Sequence, residues 1–178
     1  MAATKHTLVA LVEDKPGVLN RMASLFRRRG FNIDSIAVGH SETPHLSRVT
    51  VVVNGSTAMV EQVRKQLAKL VEVVRVTDIT EDNITARELA LVKVRATSAT
   101  RSEIIEIAGI FRGNIVDVAS DSLTIEITGD EDKMDSLLNL VRNFGVKELA
   151  RTGRVAMVRG GTGSLPVEGK KTTGTRTK

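Results

Sequence analysis

Apolar residues recur along this chain in two alternating rhythms, one suited to strands and one to helices. Thr7 to Val12 is an apolar run of strand length. Val18 to Arg29 then places Val18, Leu19, Met22, Leu25 and Phe26 on one side of a helix, and Gly30 ends the pattern. Ile33 to Val38 and Leu46 to Val53 read as strands, joined as a hairpin by the polar loop Ser41 to Pro44. Asn54-Gly55-Ser56 punctuates the start of a second helix whose buried stripe is Val60, Val63, Leu67 and Leu70, and Val73 to Ile79 supplies a fourth strand. The order is βαββαβ.

The second half repeats that order: strand Leu89 to Val94, helix Glu103 to Phe111, strands Asn114 to Val118 and Leu123 to Ile127, helix Lys133 to Phe144, strand Val146 to Ala150. Gly113 and Gly145 follow their helices as Gly30 does, at positions where a left-handed residue ends a helix at little cost. Arg154 to Val158 adds a short apolar stretch suited to an edge strand. The pattern predicts an α+β chain of two ferredoxin-like βαββαβ units, each a four-stranded antiparallel sheet with two helices on one face. Residues 1–79 form the first unit, the polar stretch 80–87 a linker, 88–158 the second unit and 159–178 a tail. Val49, Thr50, Val51, Val52 and Val53 are apolar on both faces, so the bare side of the sheet is expected to pack on another copy or a partner.

Composition narrows the classes of function. The 178 residues include no cysteine, which excludes a disulfide framework and a thiolate zinc site. Apolar runs are broken by charge well before the length of a membrane span, and no basic-then-apolar leader is visible, so a cytoplasmic protein is expected. The net charge of +5 suggests a nucleic-acid partner only until it is mapped. Residues 159–178 hold Arg159, Lys170, Lys171, Arg176 and Lys178 against Glu168 alone, leaving the body near neutrality. That Gly/Thr/Lys tail has no apolar periodicity and reads as disordered. Arg27, Arg28 and Arg29 read as the solvated, dipole-favoured end of a helix.

The best candidate site is the turn Asp14-Lys15-Pro16-Gly17 between the first strand and Val18-Leu19 of the first helix. Pro16 presets a backbone angle suited to a first helical turn, and Gly17 has no side chain to keep a ligand from the unpaired amides there. Such a turn holds a small carboxylate but offers no nucleophile or base, which points to a sensor rather than an enzyme. From residue type alone, Asp14 as a simple helix cap and Gly17 as relief of crowding remains an open alternative.

Other constellations do not close. A βαββαβ sheet invites RNA recognition, but that module stacks bases on strand aromatics, and this chain has no Tyr or Trp. Its four Phe residues fall on helices or beside their ends. His40 and His45 flank the hairpin loop without an acidic or cysteine pattern to complete a metal site. Glu13, Asp14, Glu103 and Glu106 form no acid/base pair with a partner base.

Val12 to Leu19 (Val-Glu-Asp-Lys-Pro-Gly-Val-Leu), followed by Arg29-Gly30-Phe31-Asn32-Ile33, resembles an ACT domain, an amino-acid-binding module of metabolic regulators. With Leu46 to Thr50, Leu67 to Val73, Leu91 to Val94, Phe111 to Asp117 and Ala150 to Arg154, the chain from about residue 5 to 160 resembles the regulatory small subunits of acetohydroxyacid synthase, also called acetolactate synthase. The resemblance implies a non-catalytic subunit that pairs through its ACT domains, activates a catalytic large subunit and transmits feedback inhibition by valine. It places no cofactor on this chain; thiamine diphosphate, magnesium and FAD belong to the catalytic partner. It implies that the effector carboxylate lies against amides from Lys15 to Leu19, that Asp14 and the Asn32 of the opposing copy meet its polar groups, and that Val18 and Ile33 line the isopropyl group. Effector binding then falls to residues 1–79 and activation to 88–158. A free-standing ACT-type sensor acting on another enzyme or on transcription is the alternative, and a small enzyme on this scaffold a third reading.

Overall fold

The computed structural model describes residues 4–28 and 30–160; Arg29 and the tail from residue 161 lie outside the described residues. In the first unit β1 (Thr4–Glu13) leads into α1 (Val18–Arg28), followed by the hairpin β2 (Ile33–His40) and β3 (Leu46–Gly55), then α2 (Thr57–Leu67) and β4 (Val73–Asp78). The second unit runs β5 (Ile84–Arg95), α3 (Arg101–Ile110), β6 (Asn114–Val118), β7 (Ser122–Gly129), α4 (Glu131–Val141), a 3-10 turn at Arg142–Phe144, β8 (Val146–Arg151) and β9 (Val155–Val158). The sheets have the order β2-β3-β1-β4 and β6-β7-β5-β8, with every neighbouring pair antiparallel. This is the expected α+β architecture of two ferredoxin-like units.

Period-two alternation builds each core. Leu8, Ala10 and Val12 of β1 share a face with Val49, Val51 and Val53 of β3, and Val18, Met22, Leu25 and Phe26 of α1 close over them with Val60, Val63 and Leu67 of α2. The second core repeats the scheme with Ala90, Val92 and Val94 of β5, Leu123, Ile125 and Ile127 of β7, and Ile104, Met134 and Leu137 from the helices. Side-chain caps start two helices: Ser56 accepts from the Met59 amide at 3.4 Å and Asp130 from the Lys133 amide at 3.0 Å.

Three expectations are corrected. Gly113 does not end α3 in a left-handed conformation; Arg112 takes the positive φ of 53°. Gly113 instead sits in a tight place, since a Cβ there would stand 3.1 Å from the Glu126 carbonyl oxygen. The stretch 80–87 is not all linker, because Ile84–Arg87 is the first part of β5 and pairs with β9. Its alternation explains this: Ile84 and Ala86 turn inward while Thr85 and Arg87 turn away.

The third correction concerns the bare face of the first sheet, which the chain covers itself in part. Ile84 and Ala86 of β5 pack with Ala156 and Val158 of β9 against Val9 and Ile79, making a third apolar cluster. Thr7, Val9, Leu11, Thr50 and Val52 are buried on that side within a single chain. Burying apolar area is favourable whichever chain supplies the cover, so the part of this face covered by β5 and β9 needs no second copy. What stays open is the free edge of β2, where Ile36 and Val38 are exposed.

Candidate functional site: an open turn and the edge strand beside it

Gly17 has φ +88°, and a Cβ built there would meet nothing within 4 Å. Glycine therefore serves the backbone conformation, not relief of crowding, and it leaves the surface of the turn bare. Asp14, Lys15, Pro16, Gly17 and Leu19 are all exposed. The turn is anchored by backbone bonds from Glu13 to the Glu72 carbonyl at 2.8 Å, from Asp14 to His45 at 2.9 Å and from the Arg21 amide to Gly17 at 3.0 Å. Arg21 also forms an ion pair with Glu72. The first-turn amides of α1 have no intrahelical acceptor and carry the positive end of the helix dipole.

Side chains around the turn carry both charges. Lys15 Nζ lies 2.9 Å from Glu13 Oε2, and its hydrogen bond to Glu13 raises the ammonium above its ordinary value. Asp14 Oδ2 lies 3.3 Å from His40 Nδ1 at the end of β2, so Asp14 reaches toward a strand that lies two places from β1 in the sheet. An anionic group can rest on the amides while a cationic group meets Asp14, which is the charge pattern of an amino-acid zwitterion.

The sequence-derived residues do not all meet within one chain. Asp14 to Leu19 lie together, but the Val18 side chain is buried in the core beside Met22, its amide lies 3.5 Å from the Lys15 carbonyl oxygen, and the Lys15 amide donates to the Glu13 carbonyl at 3.0 Å. The exposed Leu19 is the apolar side chain at the rim. Asn32 and Ile33 lie at the other end of β2, because β1 and β2 both pair antiparallel with β3 and therefore run parallel to each other. Seven residues at strand rise separate Ile33 from His40, about 23 Å. Asn32 is exposed, with Nδ2 at 3.5 Å from Asp34 Oδ1, and Ile33 is half-buried against the first core.

Asn32 and Ile33 instead line a cleft of about 520 Å³ between the units. An ion-pair network crosses it: Lys5 pairs with Glu131, Arg154 Nη2 lies 2.9 Å from Glu131, and Arg151 Nε lies 2.7 Å from the buried Glu88. The Lys5 hydrogen bond holds the Glu131 carboxyl below its ordinary range. Two features were invisible to sequence reasoning. One is the contact of His40 with Asp14 across the sheet end, and the other is the contact of the segment after β8 with β2, which joins residues more than a hundred positions apart.

The two ferredoxin-like units, the glycine-bearing turn and the free second strand define a protein of tandem ACT-type units. Residues 8–75 match the AHAS small subunit-like ACT domain, and residues 87–160 match the family described as small subunit of acetolactate synthase. A probable acetolactate synthase small subunit of Archaeoglobus fulgidus is 58% identical over 156 residues, covering 88% of this chain and 98% of its own length. The acetolactate synthase small subunit of Mycolicibacterium smegmatis is 51% identical over 158 residues, with 89% and 93% covered. The crystal structure of the acetolactate synthase small subunit from Thermotoga maritima superposes with a TM-score of 0.83 at 48% identity, covering 89% of this chain and 99% of that one. The chain belongs to the acetolactate synthase small-subunit family, and membership implies a catalytic large subunit as its partner. No helix among the described residues is long and apolar enough to cross a membrane.

Proposed function

We propose that this chain is the non-catalytic regulatory subunit of acetolactate synthase in branched-chain amino acid biosynthesis, raising the activity of a cytoplasmic catalytic subunit and making it sensitive to valine. On this reading thiamine diphosphate, magnesium and FAD reside on the catalytic subunit. Residues 1–79 bind the effector, while residues 88–158 serve activation. The asymmetry of the two units supports that division. The strand-to-helix connection Thr97–Thr100 has neither Pro nor Gly and closes on itself, with the Thr97 amide donating to Thr100 Oγ1 at 3.0 Å. The Asp14–Gly17 turn, by contrast, presents a glycine with nothing within 4 Å of the place a Cβ would take.

The observation that carries the effector site is the geometry of β2. The turn sits beside His40 at one end of this strand and Asn32 precedes the other end, so the two halves of the site cannot meet in one chain. Antiparallel pairing of two β2 edges about a two-fold axis would set the Asn32 end of one copy beside the turn of the other, at the seam where Ile36 and Val38 are exposed. Two equivalent valine sites result, each with a carboxylate cradle from one copy and Asn32 from the other.

Copurification with an acetolactate-forming catalytic subunit, and rate measurements with and without valine, test the assignment. The purified chain alone should form no acetolactate from pyruvate and cofactors, and adding it to the catalytic subunit should raise the rate. Binding to a different enzyme or to DNA, with no effect on acetolactate formation, would instead establish the free-standing sensor. Ile36→Lys should weaken both self-association and valine binding, because it sets two ammonium groups near each other at the seam.

A further inference from the structure

The connection between β8 and β9 crosses the back of β2 at unusually close range. A Cβ at Gly153 would stand 2.2 Å from the Ile36 carbonyl oxygen, 2.5 Å from its carbon and 3.0 Å from the Ala37 nitrogen. Its φ lies outside the left-handed region, so the backbone conformation does not demand glycine. Only the approach to β2 does. On either side the contact is fastened by hydrogen bonds: the Arg154 amide donates to Ser35 Oγ at 2.7 Å, and Arg48 Nη2 of β3 donates to the Ala156 carbonyl at 2.9 Å.

The same segment is tied into the second unit. The Thr152 amide donates to the Leu89 carbonyl at 2.9 Å, and Thr152 Oγ1 accepts from the Leu89 amide at 3.0 Å. Arg151 binds Glu88 and Asp135, and Arg154 binds Glu131 at the start of α4. The segment therefore grips β2 on one side and β5, β8 and α4 on the other. β2 is the strand whose two ends carry His40, facing Asp14, and Ile33.

We propose that Thr152–Ala156 is the link through which effector occupancy at β2 reaches the second unit, with Gly153 as its positioning residue. This rests on the effector reading above. A backbone-on-backbone contact with no intervening side chain has no rotamer to absorb displacement, so a shift or twist of β2 moves the segment and, through Glu88 and Glu131, the sheet and helix behind it. Coupling between sites commonly amounts to about 5–150-fold in affinity, and lifting the segment off β2 should remove most of it while leaving both end sites intact.

The test uses the full chain with its catalytic subunit, in wild type, Gly153→Ala and Ser35→Ala forms. Gly153→Ala pushes the segment off β2, whereas Ser35→Ala deletes only a hydroxyl and keeps the proposal open to refutation should the first variant fold poorly. Without effector, amide exchange along residues 33–40 should quicken about fivefold, the protection contributed by about one hydrogen bond. With effector, calorimetry on the free chain should give a valine affinity within about twofold of wild type, while the valine concentration for half-inhibition of the complex rises about tenfold. Activation without valine should persist. Unchanged exchange in β2, or an unchanged inhibition curve in a folded variant, overturns the link. A parallel loss of valine affinity in the free variant also overturns it, since the segment would then be part of the binding site. Absence of valine binding by the wild type would refute the effector reading, and unchanged exchange in β2 of the folded variants would separately refute the contact on which the link depends.

Discussion

Replacing Gly17 by Asp tests the proposed ligand cradle apart from the fold, because its two consequences for stability oppose each other while its consequence for binding has one sign. Gly17 adopts φ +88°, where an L-residue costs about 1–2 kcal/mol, and Asp is among the side chains that tolerate it better. A carboxylate at the positive end of α1 returns about 0.3–1 kcal/mol, and the space is open, with nothing within 4 Å of the new Cβ. The net change in unfolding free energy should therefore stay near 1 kcal/mol. For binding, a second carboxylate about 4 Å from that of the ligand repels it by about 4 kcal/mol at an effective dielectric constant near 20, roughly a thousandfold in affinity. Gly17→Ala isolates the two effects, since it carries the same backbone cost without the charge. Calorimetric titration with valine, beside urea unfolding, should show affinity nearly abolished in Gly17→Asp and only slightly weakened in Gly17→Ala. Retained affinity in a folded Gly17→Asp protein would place the site elsewhere. Equal loss in both variants would show that backbone conformation, not the repelled carboxylate, was responsible.

Leu67→Ala removes a fully buried side chain from the first core and should cost about 2–5 kcal/mol in urea unfolding; a cost below 1 kcal/mol would show that α2 is held by something other than this stripe. Glu61 titrates at about 2, below its ordinary 4.5, chiefly through its hydrogen bond to Arg64. A lowered carboxyl pKa contributes stability that is fully present above pH 4.5 and is lost as pH falls towards 2, and Arg64→Ala should move the midpoint seen by carbon-detected NMR back towards 4.5. A chain ending at Asp82 should be less stable than the whole and expose apolar surface to a hydrophobic dye, because it uncovers Val9 and Ile79 at about 2 kcal/mol each; a fragment as stable and dye-silent as the full chain would show that β5 and β9 contribute little to the first unit.

Much of the fold was legible in the chain because its signals are local. The stripe Val60, Val63, Leu67 and the alternation through Leu8, Ala10 and Val12 each identify an element and the face it buries, and the helix stops at Gly30 and Gly145 carry positive φ as expected. The Pro16-Gly17 turn was legible for the same reason: its conformation is set by consecutive residues, with Gly17 at φ +88°. What only the tertiary structure decided depends on chain topology and on pairs distant in sequence. The resemblance puts the Val18 side chain in the pocket and the helical period puts it with Met22; the packing decides for the core. Ile84–Arg87 looked like linker because two of its four residues are polar, whereas the other two find apolar cover across the sheet in β9 and Val9. Asn32 stood near the turn in sequence yet lies at the opposite end of β2, since the sheet order runs β1 and β2 parallel. Gly153 carries no local signal of its role, because the backbone that stands against it is that of Ile36, more than a hundred positions away. Local sequence determines which backbone can form and which face is apolar; the order of strands in the sheets determines which of those surfaces meet.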